Sequence, residues 1–538
     1  MPFGVAIVVA ALYFGGLGAA PFLDPPEGLH TVIARSFAQH RDWITPRVNG
    51  VPYFDNPPLL SWLMSAGFAT LGLSTGTARL WSAAAAVAVA AVTARLGVVL
   101  GGPRLGLLAG LMVASNLGFF FYGRIVKPDM LFILFITLAF AGFTVAYRGG
   151  GRRGLVLFYG ALGLAVLAKD LLGALGPLAA VGLFFWLTRE RPLAPWVPWW
   201  GVLLVAAVAL PWYLVVEARH RGFLWYVIVD NHVLNVTRHR VFPDEDVSLN
   251  PLEFLLVTAA AFLPWTLAVP WAIVRAFRGA REGVTGRLWL LYGLWAVLVI
   301  GFFTVSPFKL PHTGFPAFPA LALLTARVWD ETIEAAPDSL RPRLLLVPLL
   351  VVFALAAAAF AVLWAGVVPL DAYRPTLATG TLIFAAATAA MGWAAARRAP
   401  AFGVAIALAA MVAFLPVSAN GVTQFARVRS ARPIAEALAV RLRPGGIVVH
   451  EGPLENSASL LLSVPEPIRL VNGRATFPEA RGRFWDSPQL QEVWRGASPV
   501  FLVSVVSPER SVVRSLPPGS VHLIIAAGGR RLYANVAP

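Results

Sequence analysis

The sequence predicts an α-helical membrane protein with many spans, followed by a C-terminal α/β domain. Hydrophobic residues make up 58% of the chain and charged residues only 13%, a balance that water-soluble globular proteins of this length do not have. Apolar runs long enough to cross a bilayer recur as far as about residue 420. Beyond that point the runs become short and resemble strands, which indicates a change of fold.

Charges, prolines or glycines separate each apolar run from the next, as expected for membrane helices joined by short loops. The first run, residues 4–23, lacks a basic N-terminal region and is interpreted as an uncleaved helix. About thirteen spans are predicted, at residues 4–23, 78–99, 104–122, 129–147, 154–169, 172–188, 198–216, 253–274, 288–305, 314–328, 344–364, 375–395 and 401–418.

Basic residues are distributed unevenly between the two sides of these spans. Alternate loops are rich in arginine, whereas the short loops between them hold only Arg124, Lys127, Lys169, Lys309 and Arg374. Because cytoplasmic loops carry the excess of lysine and arginine, the arginine-rich side is predicted to be cytoplasmic. The net charge of +16 then reflects membrane topology, and nucleic-acid binding is not favoured.

This sidedness defines two predicted domains. A membrane domain covers residues 1–420, with outer loops at residues 24–77 and 217–252. A soluble, extracytoplasmic α/β domain covers residues 421–538. Its expected elements are an amphipathic helix at 431–442 and strands at 447–450, 468–471, 500–506 and 521–527, forming a mostly parallel sheet.

Several chemistries are excluded or disfavoured by missing residues and motifs. The chain has no cysteine, which excludes disulfides and thiolate nucleophiles. It also lacks a Walker loop, a G-x-S-x-G elbow and an H-E-x-x-H motif. The second outer loop is rich in histidines and acids without the spacing of a ligand motif, so a solvated loop is favoured and a divalent metal stays open: His220, His232, His239, Asp230, Asp244, Glu245 and Asp246.

Two acids at predicted helix ends on the outer side are candidate catalytic groups. Asp24 follows the first span and precedes Pro25 and Pro26, whereas Asp129 opens the fourth span. Partial desolvation would raise the basicity of such a carboxylate. The alternative for each acid is a helix cap, because Asp is a favoured N-cap residue.

Nearby bases suit a substrate that carries phosphate. Arg124 and Lys127 accompany Asp129, and Lys309 lies in a short outer loop where a cation opposes the charge bias. The alternative for Lys309 is a side chain that reaches lipid headgroups. Lys169 is a similar candidate, for which the alternative is an internal ion pair with Asp170.

The order of several short motifs resembles the ArnT-like branch of the protein O-mannosyltransferase superfamily, the GT-C membrane glycosyltransferases. The first loop contributes D-P-P-E (24–27), D-W-I-T-P-R-V-N-G (42–50) and Y-F-D-N-P-P (53–58). Weaker matches follow in order: A-R-L (78–80), P-D-M (128–130), L-P-W-Y (210–213), F-L-P-W (262–265), K-L-P (309–311) and 315–324.

The resemblance implies a GT-C fold and an enzyme of the bacterial inner membrane. Such an enzyme takes a sugar from a polyprenyl-phosphate carrier and passes it to a lipid A-like lipid, a glycan or a protein on the periplasmic face, where the C-terminal domain is also expected. By match, the catalytic acids are Asp24, Asp129 and Asp55. Donor contacts are expected from Glu27, Arg47, Tyr53, Asn56, Arg79, Arg124, Lys127, Lys169 and Lys309.

This chain departs from the family pattern at two places. Asn56 stands where the family usually has a lysine that contacts the donor phosphate, and Lys169-Asp170-Leu171 replaces a lysine-Gly-Pro sequence. These departures indicate an ArnT-like enzyme with an altered substrate. No cofactor is implied with certainty.

The expected mechanism is attack opposite the phosphate leaving group, with inversion at the anomeric carbon. Basic side chains would screen the leaving phosphate, and Asp24 is the expected general base if the acceptor is a hydroxyl. The alternative function is a transporter or flippase of lipid-linked sugars, which would favour internal repeats and mid-membrane charges. Neither feature is evident in the sequence.

Overall fold

The computed structural model describes residues 2–237, 239–241, 248–335, 341–465, 467–472 and 483–537. The chain forms two compact units. The helical unit comprises Met1–Gly16 and Leu80–Gly421, and the α/β unit comprises Leu17–Arg79 and Val422–Pro538. The first predicted outer loop therefore belongs to the same unit as the C-terminal residues. The domain limits predicted from the sequence stay a prediction.

The helices follow the apolar runs of the sequence. In chain order they are α1 Pro2–Phe14, α2 Pro26–His40, α3 Leu59–Leu71, α4 Thr75–Gly101, α5 Pro103–Ser115, α6 Leu117–Tyr122, α7 Asp129–Val145, α8 Gly151–Ala168, α9 Leu172–Thr188, α10 Trp199–Arg219, α11 Asn235–Thr237, α12 Pro251–Ala261, α13 Val269–Arg278, α14 Gly283–Val305, α15 Phe318–Ile333, α16 Arg341–Trp364, α17 Arg374–Ala396, α18 Pro400–Arg429, α19 Arg432–Arg441 and α20 Ser487–Trp494.

Among the described residues, seven helical segments are long and apolar enough to cross a membrane. An eighth arises if α12 and the following helical segment, which are bent by 109° at residues 262–264, form one span. Pro264 lies at this bend and has no N–H to continue the helical bonding. The prediction of a polytopic helical protein is confirmed, while the number of thirteen spans stays a prediction.

The first span is shorter than the predicted 4–23, because α1 ends at Phe14. Gly16 follows with a φ of +64°, a conformation that suits glycine and ends a helix. The carbonyls of Leu17, Ala20 and Pro21 accept hydrogen bonds from Arg79 instead of from helical N–H groups. A side chain 58 or more residues away in sequence thus satisfies the backbone that hydropathy assigned to a helix.

The first loop contains a short hairpin, β1 Arg47–Val48 and β2 Val51–Pro52. Asn49 and Gly50 connect the strands with φ values of 53° and 74°. Two positive φ angles are what a two-residue hairpin turn of the primed type requires, and Asn-Gly is its preferred sequence. The D-W-I-T-P-R-V-N-G motif therefore encodes a local turn as well as a family resemblance.

The C-terminal residues form a six-stranded sheet of order β5-β4-β3-β6-β8-β7. The first three pairs are parallel and the last two are antiparallel, which confirms the predicted mostly parallel α/β sheet. The strands are β3 Ile447–Glu451, β4 Arg469–Val471, β5 Phe484–Trp485, β6 Val500–Ser504, β7 His522–Ala527 and β8 Arg530–Ala534.

Both faces of this sheet are covered by apolar packing. On one face, α2 of the first loop packs with α19 and the 3₁₀ segment 454–462 over strand residues Val448, Phe501 and Leu532. On the other face, Leu490 and Trp494 of α20 pack over Val449. The first loop therefore supplies one of the helices that complete the C-terminal fold.

Candidate functional site

The polar residues around the start of α7 form a partly buried cluster in the helical unit. The Asp129 carboxylate accepts a hydrogen bond of 2.6 Å from Lys169 Nζ, and His312 Nε2 lies 3.5 Å from Asp129 Oδ1. Lys127 Nζ is 3.5 Å from His312 Nε2, while the Tyr122 hydroxyl is 3.2 Å from His312 Nδ1. We call these five residues the Asp129 cluster.

Two alternatives weighed from the sequence are wrong at this place. Asp129 is the first residue of α7 but makes no capping hydrogen bond, because its carboxylate is turned to Lys169 and His312. The closest acid to Lys169 is Asp129 rather than its neighbour Asp170, which accepts from the backbone N–H of Leu172. The cluster thus joins residues from the starts and ends of separate helices.

Burial determines the charge state of His312 within the Asp129 cluster. Burial is the main cause that lowers the pKa of His312 to about 3, and the charges of Lys127 and Lys169 lower it further, against the opposing charge of Asp129. The imidazole is therefore neutral at physiological pH. The two lysines of the cluster are donors of the kind that bind a phosphate group through charge-assisted hydrogen bonds.

The buried neutral imidazole predicts a pH dependence of stability. Folding lowers the His312 pKa from its ordinary 6.5 to about 3. The contribution of His312 to the free energy of unfolding is therefore fully present above about pH 6.5 and is lost as the pH falls towards 3. We expect His312→Gln to flatten this loss when melting temperatures in detergent are compared between pH 7 and pH 4. His450, with a pKa lowered to about 4 by burial, contributes the same background in both proteins. Parallel curves for variant and wild type would refute the prediction.

Lys309 is a second buried cation of the helical unit. Only 3% of the residue is exposed, and its Nζ donates a hydrogen bond of 2.6 Å to the carbonyl of Ser306. Its backbone N–H bonds to Ser248 Oγ at 3.0 Å, which fixes the segment from the loop beside it. This is not the geometry of a lysine that reaches outwards to headgroups. A buried ammonium is costly to hold without an anion, so Lys309 is also suited to a phosphate.

One signal in the sequence pointed to this chemistry and was not used. Only three of the 43 basic residues are lysines, namely Lys127, Lys169 and Lys309. Two of the three lie in the Asp129 cluster and the third is buried. His312 was also missed, although it directly follows the K-L-P motif at 309–311. A lone histidine in a short loop gives no pattern from which its partner could be inferred.

The expected donor contacts Glu27 and Arg79 bind each other in the α/β unit. Arg79 donates to both oxygens of the Glu27 carboxylate at 2.7 Å, and their side chains are 4% and 0% exposed. The remaining three N–H donors of the guanidinium reach the carbonyls of Leu17, Ala20 and Pro21 at 2.9–3.0 Å. Since a guanidinium has five donors, none is left for a substrate, and the geometry favours a structural role for this pair.

Asp24 is enclosed within the α/β unit. Its side chain is fully buried, with Oδ1 accepting from the Ser459 N–H at 3.0 Å and Oδ2 from the Ser459 hydroxyl at 2.5 Å. Arg530 adds a contact of 3.4 Å. Burial raises the pKa of the Asp24 carboxyl, and the hydrogen bonds from Ser459 and the charge of Arg530 act in the opposite direction. The helix-cap alternative is wrong, because Pro25 occupies the N-cap of α2 and no side chain caps it.

The other predicted site residues are spread over both units. Arg47 lies 3.9 Å from Asp42 and donates to the carbonyl of Gly50 within the hairpin. Tyr53 packs against the core shared by α2 and the sheet, Asp55 is exposed and Asn56 is half-buried. In the helical unit, Arg124 donates to the carbonyls of Leu12 and Tyr13. Substrate contacts of these residues stay predictions.

Within the described ranges of the second outer loop, histidine and acidic residues are engaged locally. Arg240 pairs with the buried Asp230, and His232 Nδ1 lies 2.6 Å from the carbonyl of Val227. Among the residues that the structure describes, no group of three or more histidines and acids could hold a metal ion. Asp244, Glu245 and Asp246 lie outside the described residues. The divalent metal stays a prediction.

Comparisons with known proteins agree with this arrangement. The dolichyl-phosphate-mannose-protein mannosyltransferase family model matches residues 31–227. The undecaprenyl phosphate-α-4-amino-4-deoxy-L-arabinose arabinosyl transferase of Pseudomonas paraeruginosa is 29% identical over 337 residues, covering 59% of this chain and 57% of that protein. The enzyme of the same description from Pseudomonas aeruginosa strain PAO1 is 29% identical over 321 residues, covering 56% of this chain and 54% of its own length.

The similarity of the whole fold is more extensive than that of the sequence. The matched region spans about half the length of those two relatives, whereas the crystal structure of ArnT from Cupriavidus metallidurans bound to undecaprenyl phosphate superposes with a TM-score of 0.83. That match covers 99% of this chain and 98% of the other at 22% identity. The resemblance found in the first loop is confirmed, because the family model matches residues 31–227 and the chain as a whole has the fold of the ArnT structure.

Proposed function

We propose that this protein is a glycosyltransferase of the bacterial inner membrane that moves a sugar from a polyprenyl-phosphate donor to an envelope acceptor. The observation that supports it best is the Asp129 cluster, in which Lys127 and Lys169 lie beside the buried Asp129 and His312. Two ammonium groups so placed can hold a phosphate. The activity of the relatives, transfer of an aminosugar from undecaprenyl phosphate, has the same donor chemistry.

The chemical step follows from the charges. An acceptor oxygen forms a bond to the anomeric carbon while the bond from that carbon to the phosphate oxygen breaks, and the lipid phosphate leaves with both electrons. Lys127 and Lys169 stabilise the charge that develops on the leaving phosphate, as preorganised donors do in a water-poor site. Asp129 holds Lys169 in place. Attack opposite the leaving group inverts the anomeric centre.

The need for a base depends on the acceptor. An acceptor phosphate, as in a lipid A-like lipid, is ionised near neutral pH and needs no base, whereas the hydroxyl of a glycan or protein must lose its proton. Of the three acids expected from the sequence, Asp129 is engaged by Lys169 and Asp24 is enclosed by Ser459. Asp55 is the exposed acid of the three, and its catalytic role stays a prediction.

Mass spectrometry of envelope lipids, glycans and proteins tests this function. Strains that lack the gene, or that express the wild type or Lys169→Met at matched levels, would be compared. We expect a sugar-sized mass on one acceptor class in the wild type only, and this mass also identifies the acceptor. Identical profiles in all strains, together with wild-type-dependent appearance of lipid-linked sugar on the outer leaflet, would replace the transferase by a transporter.

The sidedness of the reaction is part of the same proposal. The arginine bias of alternate loops supports a periplasmic position for the first loop and for the C-terminal sheet. Site-directed thiol labelling suits this chain because it has no cysteine. A single cysteine in place of Val440, 83% exposed on α19, should react with an impermeant maleimide in intact cells whose outer membrane is made permeable. If the cysteine stays unreactive until the inner membrane is also made permeable, the C-terminal sheet lies on the cytoplasmic side and the proposed orientation is wrong.

A further inference from the structure

The first loop and the C-terminal residues are joined at three points within the α/β unit. Asp24 binds Ser459 through both of its carboxylate oxygens. Arg35 donates from Nη2 to the carbonyl of Leu461 at 2.6 Å. Asn49 exchanges two hydrogen bonds of 2.8 and 2.9 Å with the backbone of Ile468. These contacts connect positions more than 400 residues apart in sequence.

The start of α2 is shaped for the first of these contacts. A Cβ atom added to Gly28 would lie 2.0 Å from Asp24 Oδ1 and 2.5 Å from the backbone nitrogen of Ser459. The Ser459 N–H donates to Asp24 Oδ1, so this hydrogen bond holds both atoms in place. The nitrogen also belongs to the backbone and cannot move aside as a side chain could. A glycine in the first turns of a helix costs stability relative to alanine, so its presence here has a packing reason.

Arg530, which opens β8, also binds Asp24 at its contact with Ser459. Its five N–H donors reach Ser457 Oγ, the Asp24 carboxylate, and backbone carbonyls at the end of α18, in the 454–462 segment and in the turn before β8. The guanidinium is therefore fully engaged inside the unit, as is that of Arg79. The Asp24 carboxylate has no exposed surface through which a substrate could approach.

We infer that Asp24 is a structural latch and that Ser459 and Arg530 are positioning residues, through which the C-terminal domain holds the first loop in its working conformation. The latch precedes the segment that carries the expected donor contacts Tyr53 and Asn56, and the Asn49–Ile468 contact fixes that segment just before them. The inference rests on the proposed function for its effect on catalysis. It replaces the general-base role expected for Asp24 by one that needs no proton transfer.

A disulfide can substitute for the latch, because the natural chain has no cysteine to interfere. The Asp24 carboxylate and the Ser459 hydroxyl meet at 2.5 Å. A cysteine sulfur at position 24 lies one bond closer to the backbone than that carboxylate oxygen, so the two backbones must approach slightly before an S–S bond of about 2.05 Å can close. We expect Asp24→Cys and Ser459→Cys alone to lower transfer activity by about 10²-fold, as misplacement of site groups does. The double variant should recover most of this activity when oxidised and lose it again in dithiothreitol.

The same experiment separates a latch from a catalytic acid. An oxidised double variant with the wild-type melting temperature but the low activity of Asp24→Cys would show that the carboxylate itself is required, and would overturn the inference. Failure of the two thiols to form the disulfide, read by maleimide labelling and mass spectrometry, would also overturn it. Wild-type activity measured with and without dithiothreitol is the control for any effect of the reductant itself.

The melting temperature keeps this test independent of the proposed function. If the wild type transfers no sugar, the proposed function fails, but the latch is still judged by whether oxidation restores the melting temperature of the double variant. If the wild type is active and the oxidised variant is stable but inactive, only the latch fails.

Discussion

Replacing Lys169 by methionine is expected to lower kcat/KM for glycosyl transfer by about 10²–10³-fold, the usual cost of removing one preorganised donor from a developing oxyanion. Lys169 is the ammonium that bonds to Asp129 at 2.6 Å, and the cluster has no other strong cation beyond Lys127. Initial rates with a synthetic polyprenyl-phosphate sugar, measured on purified protein in detergent, would give the effect directly. Lys169→Arg keeps the charge and should retain a measurable fraction of the rate.

A second variant separates chemistry from folding. Lys169→Met alone leaves the buried Asp129 without its closest partner, which by itself destabilises a protein. The double variant Asp129→Asn with Lys169→Met removes both charges, so its melting temperature should approach that of the wild type while transfer stays low. A double variant that regains wild-type transfer would show that the pair only supports the fold.

Binding of the lipid phosphate at the lysines can also be measured without catalytic turnover. Since the chain has only three lysines, acetylation followed by peptide mass spectrometry reports each one separately. Polyprenyl phosphate should protect Lys127 and Lys169 from the reagent, whereas the corresponding polyprenol should not. Equal protection by both lipids would indicate shielding by the isoprenoid chain rather than binding of phosphate.

Arg79→Met is expected to be the most destabilising single change, by about 3–5 kcal/mol, because it strands the buried Glu27 carboxylate. It also leaves the carbonyls of Leu17, Ala20 and Pro21 without their donors. Arg79→Lys should rescue little of this stability, since an ammonium has three donors and cannot form the two parallel bonds to a carboxylate. Melting temperature and yield of folded protein in detergent are the measurements.

Arg432→Met is the matched control for this experiment. It removes an arginine–glutamate pair of the same type with Glu436, whose side chains are 72% and 63% exposed, and should change stability by about 0–1 kcal/mol. A donor-binding role for Arg79 makes the opposite prediction. Arg79→Lys would then melt like the wild type and show a raised KM for the lipid donor.

Hydropathy and periodicity were sufficient to predict several elements of this fold. The strands expected at 447–450 and 500–506 are β3 and β6, and the amphipathic helix at 431–442 is α19. The two strands are short apolar runs buried on both faces of the sheet, and the helix repeats its apolar residues with helical spacing, so a local pattern identifies each segment. The ends of spans were less predictable, as α1 shows, because a distant arginine satisfies the backbone there.

The candidate site depended on pairings that no local pattern contains. Asp24 and Asp129 both looked like helix caps, since each stands before or at a helix start. Their actual partners, Ser459 and Lys169, are 435 and 40 residues away. Hydrogen-bond partners at such distances are set by tertiary packing, for which a single sequence gives no direct signal.

The part that α2 takes in the C-terminal core has a consequence for biosynthesis. Leu29, Val32, Ile33 and Phe37 are synthesised several hundred residues before the strand residues on which they pack, such as Phe501. At about 5–20 residues per second, the apolar face of α2 waits for tens of seconds without its sheet. A nascent or truncated chain that never reaches β6 cannot complete its own first loop, so the protein is expected to become competent only once β6 has been made.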